Sequence, residues 1–276
     1  MRFNTVTVTL HLTRRLLSNS SQCHVMHQMA GISHVKRVSI EGNIAVGKST
    51  FAKLLKNAGQ NWEVIPEPVS KWQNIEAATS QPVRSPQQTA SNLLKMMYQD
   101  PKRWSYTFQT FSCMSRLRTQ LQPPPASLLQ STETAVQVYE RSIYSDRYIF
   151  AQNMFELDCI NSTEWTVYQD WHSFLVEQFG PKVHLEGIIY LRAPPQTCLD
   201  RLGCRGREEE QGLQLDYLDT LHMQHDNWLI NKSTEIHFDH LKNLPVLVLD
   251  ASLEFEKDPE VQTRLIKEVT AFFNGL

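Results

Sequence analysis

The sequence predicts an α/β fold, a parallel β-sheet covered by helices on both faces. Three observations carry that expectation. Five short apolar segments alternate with stretches of helical spacing along 276 residues, as βα units feeding a parallel sheet would. The first of these segments runs into Gly42-Asn43-Ile44-Ala45-Val46-Gly47-Lys48-Ser49, which fits the phosphate-binding pattern G-x-x-x-x-G-K-[ST]. The hydrophobic content of 41% and the length suit one large domain that buries most of its apolar surface without disulfide staples.

The elements follow in chain order. Arg37 to Ile40 reads as a short strand, and Thr50 to Lys56 as a helix whose apolar members are Phe51, Leu54 and Leu55. Strand, glycine loop and helix in that order make an anion cradle. Glycine reaches backbone geometry closed to other residues, and successive loop N–H groups at a helix N-terminus converge on phosphate. Lys48 can reach the outer phosphates. The Ser49 hydroxyl can ligate Mg²⁺, a hard cation that prefers oxygen. The alternative is a chance match in a glycine turn. Glu63–Pro66, Val136–Tyr139, Gly187–Leu191 and Val246–Asp250 read as four more buried strands. Gln81–Pro86, with two prolines, reads as a loop, and Pro123-Pro124-Pro125 stops the long helix before it.

That helix, Pro101 to Leu121, carries two stripes. Trp104, Phe108 and Phe111 form an apolar one expected to face the core. Gln109, Ser112 and Arg116 form a polar one, which either lines a cleft or is a solvated face. Glu67 stands just beyond the second strand, and Glu140 with Arg141 just beyond the third. Ligands of open α/β sheets bind at the carboxyl ends of strands. A carboxylate there can accept a proton from an attacking hydroxyl or help hold Mg²⁺, and an ordinary turn acid is the other meaning. Arg201, Arg205 and Arg207 precede Glu208-Glu209-Glu210. They suit a lid over phosphates, since guanidinium groups bridge phosphate oxygens, or else a solvated helix of paired charges.

Several function classes fit poorly. The net charge of −2 argues against broad nucleic-acid binding. No stretch approaches the roughly 20 apolar residues of a spanning helix, so no membrane segment is expected. Asn231-Lys232-Ser233-Thr234 lacks the carboxylate of a guanine-binding motif. His222 with His225, and His237 with His240, lack the cysteine pair or H-E-x-x-H that would complete a zinc site. The five cysteines are scattered, without C-x-x-C spacing, and read as reduced thiols of an intracellular compartment. The first 40 residues contain arginine, serine and threonine but no Asp or Glu before Glu41. Residues 1–36 therefore read as a mitochondrial transit peptide, or as a disordered basic tail, ahead of a single domain at 37–276.

Six strings in order resemble the deoxynucleoside kinase family: Ser39-Ile-Glu-Gly-Asn-Ile-Ala-Val-Gly-Lys-Ser-Thr50, Glu67-Pro-Val-Ser-Lys-Trp72, Arg103-Trp-Ser-Tyr-Thr-Phe-Gln-Thr110, Glu140-Arg-Ser-Ile-Tyr-Ser-Asp-Arg-Tyr148, Arg205-Gly-Arg-Glu-Glu-Glu210 and Asp226-Asn-Trp-Leu229. The resemblance covers roughly residue 37 to the C-terminus. It implies a P-loop kinase fold, with a five-stranded parallel sheet, flanking helices and an arginine-rich lid, usually as a homodimer. It also implies ATP as phosphate donor, Mg²⁺, and a deoxynucleoside acceptor phosphorylated at its 5′-hydroxyl. By the same resemblance, Glu67 is the base at that hydroxyl with Arg141 as its partner, and Glu140 is the Mg²⁺-side acid. Tyr98 and Glu210 grip the sugar 3′-hydroxyl, Gln109 bonds the base edge, and Trp72 walls the pocket. Arg116 and Asp146 form a coupled pair deeper in the base pocket, and Arg201, Arg205 and Arg207 form the lid. The P-loop from Gly42 through Thr50 would hold the donor phosphates. Within the family, Arg116 with Asp146 resembles the deoxycytidine and deoxyguanosine kinase branch. The acid-free N-terminus and the small Ser112 then favour its mitochondrial, purine-phosphorylating member. A deoxycytidine kinase-like enzyme of broader specificity is the alternative, and a catalytically idle nucleotide-binding module is a different kind of alternative.

Overall fold

A computed structural model describes residues 35–58, 61–75, 91–130 and 134–276. The expected transit peptide, apart from its last two residues, and the expected loop at Gln81–Pro86 lie outside the described residues. Among the described residues the five strands are β1 (Lys36–Gly42), β2 (Trp62–Ile65), β3 (Val136–Glu140), β4 (Gly187–Arg192) and β5 (Val246–Asp250). All pair in parallel, in the order β2-β3-β1-β4-β5. Each expected strand is present within two residues of its expected ends.

The central strands explain why their sequences read as unbroken apolar runs. Every residue of β3 is buried, as are the last five of β1, because helices cover both faces. β1 lies between β3 and β4, with Ser39 opposite Tyr139 on one side and Ile188 on the other. Its carboxyl end therefore opens at the middle of the sheet, where strand order reverses and a crevice forms. The loop that follows requires its glycines. Gly42 has φ 143°, and a Cβ there would lie 2.4 Å from the Leu191 carbonyl oxygen of β4. Gly47 has φ 108°, and its Cβ would meet the Phe255 ring at 2.7 Å. The helix Lys48–Asn57 begins at once, burying Phe51, Ala52 and Leu55.

The apolar stripe of the Pro101–Gln120 helix faces a hydrophobic core as expected, though a smaller one than the main cluster. Trp104, Phe108 and Phe111 do not join the main core. They pack on a smaller cluster with Trp72, Leu93, Leu94 and Met97, and only Phe108 of the three is fully buried. The polar stripe is the more buried one: Gln109, Ser112 and Arg116 are 2%, 2% and 4% exposed. The solvated-face alternative therefore fails. The charged stripe of the helix turns inward to a cavity. After β3, a helical stretch from Ile143 to Glu156 contains a π-helical turn at Asp146–Ala151. Asp146 and Phe150, both in this turn, line the same crevice, and π-turns are frequent at functional sites.

Among the described residues, no helix is long and apolar enough to cross a membrane. Cys113, Cys159, Cys198 and Cys204 carry free thiols.

Candidate active site

One cavity of about 610 Å³ opens at the carboxyl ends of β1, β2 and β3. Its floor is the glycine loop. Ile44, Ala45, Gly47, Lys48, Ser49 and Thr50 line it, while Gly42, Asn43 and Val46 do not. Asn43 braces the loop from below, with its side-chain nitrogen donating to Leu218 O at 2.9 Å and its Oδ1 accepting from Ile44 N at 2.8 Å. Lys48 Nζ donates to the carbonyls of Gly42 at 3.2 Å and Asn43 at 2.7 Å. Burial, then the positive charge of Arg141, push Lys48 down to about 7. The negative charge of a phosphate ligand would oppose both effects and favour the charged lysine.

Ser49 and Glu140 meet beside this floor, the hydroxyl donating to Glu140 Oε1 at 2.6 Å. A hydroxyl and a carboxylate at the mouth of a phosphate cradle are hard oxygen donors, and they fit Mg²⁺ held together with phosphate oxygens. Glu140 Oε2 also accepts from the Glu67 backbone N–H at 3.5 Å, which ties the end of β3 to the turn after β2.

Glu67 faces two arginines. Its Oε1 lies 3.1 Å from Arg116 Nη2 and 3.4 Å from Arg141 Nε. Burial alone would raise the Glu67 carboxyl, but Arg116, Arg141 and Lys48 outweigh it and hold the group below its ordinary value. Arg141 reaches this place because its backbone is left-handed, with φ 66°, while its N–H continues the ladder to Ile40 O at 3.0 Å. Its guanidinium stacks on Phe150, 4.4 Å from the ring centre. A non-glycine residue with that φ immediately after a central strand is a conformation that surrounding structure must hold in place.

Arg116 continues deeper. Its Nε donates to Asp146 Oδ2 at 3.0 Å and its Nη2 to Oδ1 at 3.2 Å, a bidentate pair, and Ser112 Oγ donates to Asp146 Oδ1 at 3.0 Å. Burial works against both charges. For Arg116, Asp146 and Glu67 more than reverse it, whereas Asp146 stays above its ordinary value despite Arg116 and Ser112. Trp72 packs over the Arg116 guanidinium at 5.3 Å, and its indole N–H is fixed on Ser115 Oγ at 2.8 Å. Gln109 lines the same end of the cavity.

The third side is the segment after β4. The acidic run is a 3₁₀ turn, Glu208–Glu210, rather than part of a solvated helix. Glu210 is 4% exposed and takes both Arg205 and Arg207, the latter at 2.9 Å. Tyr98 lies on the same wall, where burial, together with Tyr217 and Glu210, pushes its phenol well up. Arg201 lines the cavity beside Arg205 and Arg207 and also makes backbone contacts. Its guanidinium is used on the carbonyls of Val46, Ala251, Ser252 and Leu253, at 3.0, 2.7, 3.3 and 3.1 Å. It braces the glycine loop against the turn after β5.

Sequence reasoning missed Phe150, Tyr217 and the Glu254-Phe255-Glu256 segment, which also line the cavity. Phe150 follows Asp146 at i+4 on one helical face, a usable signal. Tyr217 and the segment after β5 belong to no pattern. The histidine pairs lie elsewhere: His222 contacts Asp226 at 3.4 Å, His225 stacks on Tyr190, His237 stacks on Tyr148 and His240 stacks on His184. No group of three or more His, Cys, Asp or Glu side chains suited to a metal ion occurs among the described residues.

Chemically, the cavity joins an anion cradle, an ionised carboxylate between two guanidinium groups, and a buried bidentate pair at its far end. It suits transfer of a phosphoryl group to a hydroxyl of a second, polar, ring-bearing molecule. A deoxynucleoside kinase family model matches residues 38–274. The chain is 52% identical over 242 residues to mitochondrial deoxyguanosine kinase of Xenopus laevis, covering 88% of this chain and 91% of that one. It is 50% identical to deoxycytidine kinase 2 of Gallus gallus, covering 87% and 91%. With deoxycytidine kinase of Homo sapiens it shares 48% identity, covering 86% and 91%.

Proposed function

The chain belongs to the deoxynucleoside kinase family, and on that footing we propose that it transfers the γ-phosphoryl group of ATP to the 5′-hydroxyl of purine deoxynucleosides. Deoxyguanosine is the preferred acceptor and deoxyadenosine the next. The observation that carries the chemistry is Glu67 set between Arg116 and Arg141 at the edge of the phosphate loop.

In this reading the loop N–H groups and Lys48 hold the donor phosphates. Ser49 and Glu140 would hold Mg²⁺, which supplies charge neutralisation between phosphate oxygens when bound. Arg205 and Arg207 complete the cage. Glu67 accepts a hydrogen bond from the 5′-hydroxyl, aims its oxygen at the γ-phosphorus, and takes the proton as the bond to phosphorus forms. The bond from the γ-phosphorus to the β,γ-bridging oxygen breaks in the same step, with ADP as the leaving group. A carboxylate held low by two arginines is a weak base. That suits a loose transition state, in which the nucleophile need not be deprotonated early. Arg141 steadies the same hydroxyl. Tyr98 and Glu210 hold the 3′-hydroxyl, Gln109 bonds the base edge, and Trp72 and Phe150 flank the ring. Arg116 and Asp146 present a fixed donor to a ring acceptor, and Ser112 leaves room for a purine.

The purine preference is supported by Ser112, by the 52% relative and by the acid-free N-terminus. That segment is proposed to direct residues 37–276 to the mitochondrial matrix. A second reading, a deoxycytidine kinase-like enzyme of broader specificity, is favoured by relatives of that name at 48–50% identity. A homodimer is also proposed. Val167 and Phe174, 48% and 58% exposed, stand seven residues apart on the Ser162–Val183 helix, a spacing that places them on one face. Formation of 5′-monophosphate from each of the four deoxynucleosides with ATP and Mg²⁺ tests the reading. Absence of turnover would leave an idle nucleotide-binding module. Residues 1–40 fused to a reporter test the address, which a diffuse cytosolic signal would contradict.

A further inference from the structure

The carboxylate of Glu209 joins three segments that are distant in sequence. Its Oε1 accepts from Gln73 Nε2 at 2.9 Å and from Asn92 Nδ2 at 2.7 Å. Gln73 ends the Val69–Gln73 helix that carries Trp72. Asn92 caps the Leu93–Gln99 helix, its Oδ1 accepting from Lys95 N at 2.9 Å, and that helix carries Tyr98 in its last turn. Ile75 and Ser91, just inside these two anchors, pair as an antiparallel bridge with bonds of 2.9 and 3.3 Å. Glu209 does not line the cavity, but its neighbour Glu210 does, with Arg205 and Arg207 on its carboxylate. Two successive side chains thus fix one turn. The first is tied to the helices bearing Trp72 and Tyr98, and the second to the arginines of the lid.

An anionic oxygen taking two amide donors makes charge-assisted bonds, stronger than neutral ones. The neighbouring contact, Lys95 to Glu208 at 3.8 Å between exposed groups, contributes little. Among the described residues, Glu209 is the stronger of these two polar links between the Glu208–Glu210 turn and the helices that carry Trp72 and Tyr98.

We propose that Glu209 is a positioning residue for the sugar end of the site. By bracketing Gln73 and Asn92 to the Glu208–Glu210 turn, it sets the gap in which Tyr98 and Glu210 receive the sugar 3′-hydroxyl. This assignment rests on the proposed reading in which those two side chains bind that hydroxyl. Glu209 touches no substrate atom and acts only through Glu210 and Tyr98.

The test compares 2′-deoxyguanosine with 2′,3′-dideoxyguanosine as acceptors for the wild type, Glu209→Ala, Glu209→Gln and Gln73→Ala, each checked by its urea unfolding midpoint. Glu209→Ala is expected to raise KM for deoxyguanosine roughly tenfold, the low end of one hydrogen bond to a charged group. Its kcat and its KM for ATP should stay within about threefold, well inside that margin. The penalty should vanish for the 3′-deoxy acceptor, which has no hydroxyl to misplace. Glu209→Gln keeps an acceptor oxygen and should restore most of the affinity. Gln73→Ala should show the same acceptor-dependent loss in milder form, and together with Glu209→Gln it carries the test if Glu209→Ala does not fold. An equal loss with both acceptors would make Glu209 a stabilising surface clamp and overturn the assignment. A wild type indifferent to the 3′-hydroxyl would instead refute the sugar-clamp reading itself, and this assignment with it.

Discussion

Asp146→Ala should be more damaging than removing Asp146 and Arg116 together. The pair is buried, with side chains 1% and 5% exposed, and joined by two bonds of 3.0 and 3.2 Å. Taking away one member of such a pair costs about 3–5 kcal/mol, because the other charge stays buried without its partner. Here Glu67 remains 3.1 Å from Arg116, so the low end, about 3 kcal/mol, is expected. For a domain of this size each kcal/mol moves the melting temperature by roughly 2–4 °C, giving a fall of about 6–12 °C. The double variant Arg116→Met/Asp146→Ala leaves no lone ion and restores apolar packing against Trp72. Its melting temperature should lie above that of Asp146→Ala. Thermal unfolding of the wild type, both single variants and the double variant supplies the cycle. Additive losses, with the double variant the least stable, would refute the argument that these charges are coupled. In the same proteins, kcat/KM for deoxyguanosine relative to thymidine should fall in the double variant. A site that hydrogen-bonds polar substrate groups discriminates strongly. An unchanged ratio would assign selectivity to Gln109 and cavity shape, and leave the pair a structural one.

Glu67→Gln should bind nucleoside with affinity close to wild type but lower kcat by about 10²–10⁴-fold, the usual contribution of a placed base; turnover within threefold would remove Glu67 from that role. Ser49→Ala should raise the Mg²⁺ concentration for half-maximal rate while leaving nucleoside KM in place, which a Mg²⁺ titration measures. Lys48→Met should abolish activity yet stabilise the ligand-free protein near pH 7. The folded-state value of about 7 lies below the ordinary lysine value of 10.5, so between them the unfolded chain binds more protons and wild-type stability rises with pH. Urea midpoints at pH 7 and pH 9.5 should therefore converge between variant and wild type as pH increases, and a gap that widens with pH would contradict the assignment. For the same reason, binding of ATP near pH 8 should take up a proton, visible by calorimetry in buffers of different ionisation enthalpy.

The sheet was legible because its central strands are buried on both faces, which leaves runs such as Val136–Tyr139 with little else to be. The glycine loop was legible because Gly42 and Gly47 answer to steric demands that no other residue meets. The charged stripe of the Pro101–Gln120 helix was not decided by spacing. Whether Gln109, Ser112 and Arg116 meet water or a cavity depends on Asp146 and Glu67, which are distant in sequence. Arg201 shows the same limit from the other side: it lines the cavity with Arg205 and Arg207, and nothing in its spacing showed that four carbonyls from two loops would also hold its guanidinium. Tyr217 and Phe255 left no local signal, because their place in the cavity is set by packing between elements rather than by any pattern within one.

The most direct test of the central claim is a competition. Deoxyguanosine and deoxycytidine at equal concentration, with ATP and Mg²⁺, are given to residues 35–276, and the 5′-monophosphates are counted by mass spectrometry. The account predicts that deoxyguanosine 5′-monophosphate accumulates first and dominates. Dominance of deoxycytidine 5′-monophosphate would contradict the purine assignment while leaving the kinase chemistry intact, and the absence of either product would contradict the chemistry itself.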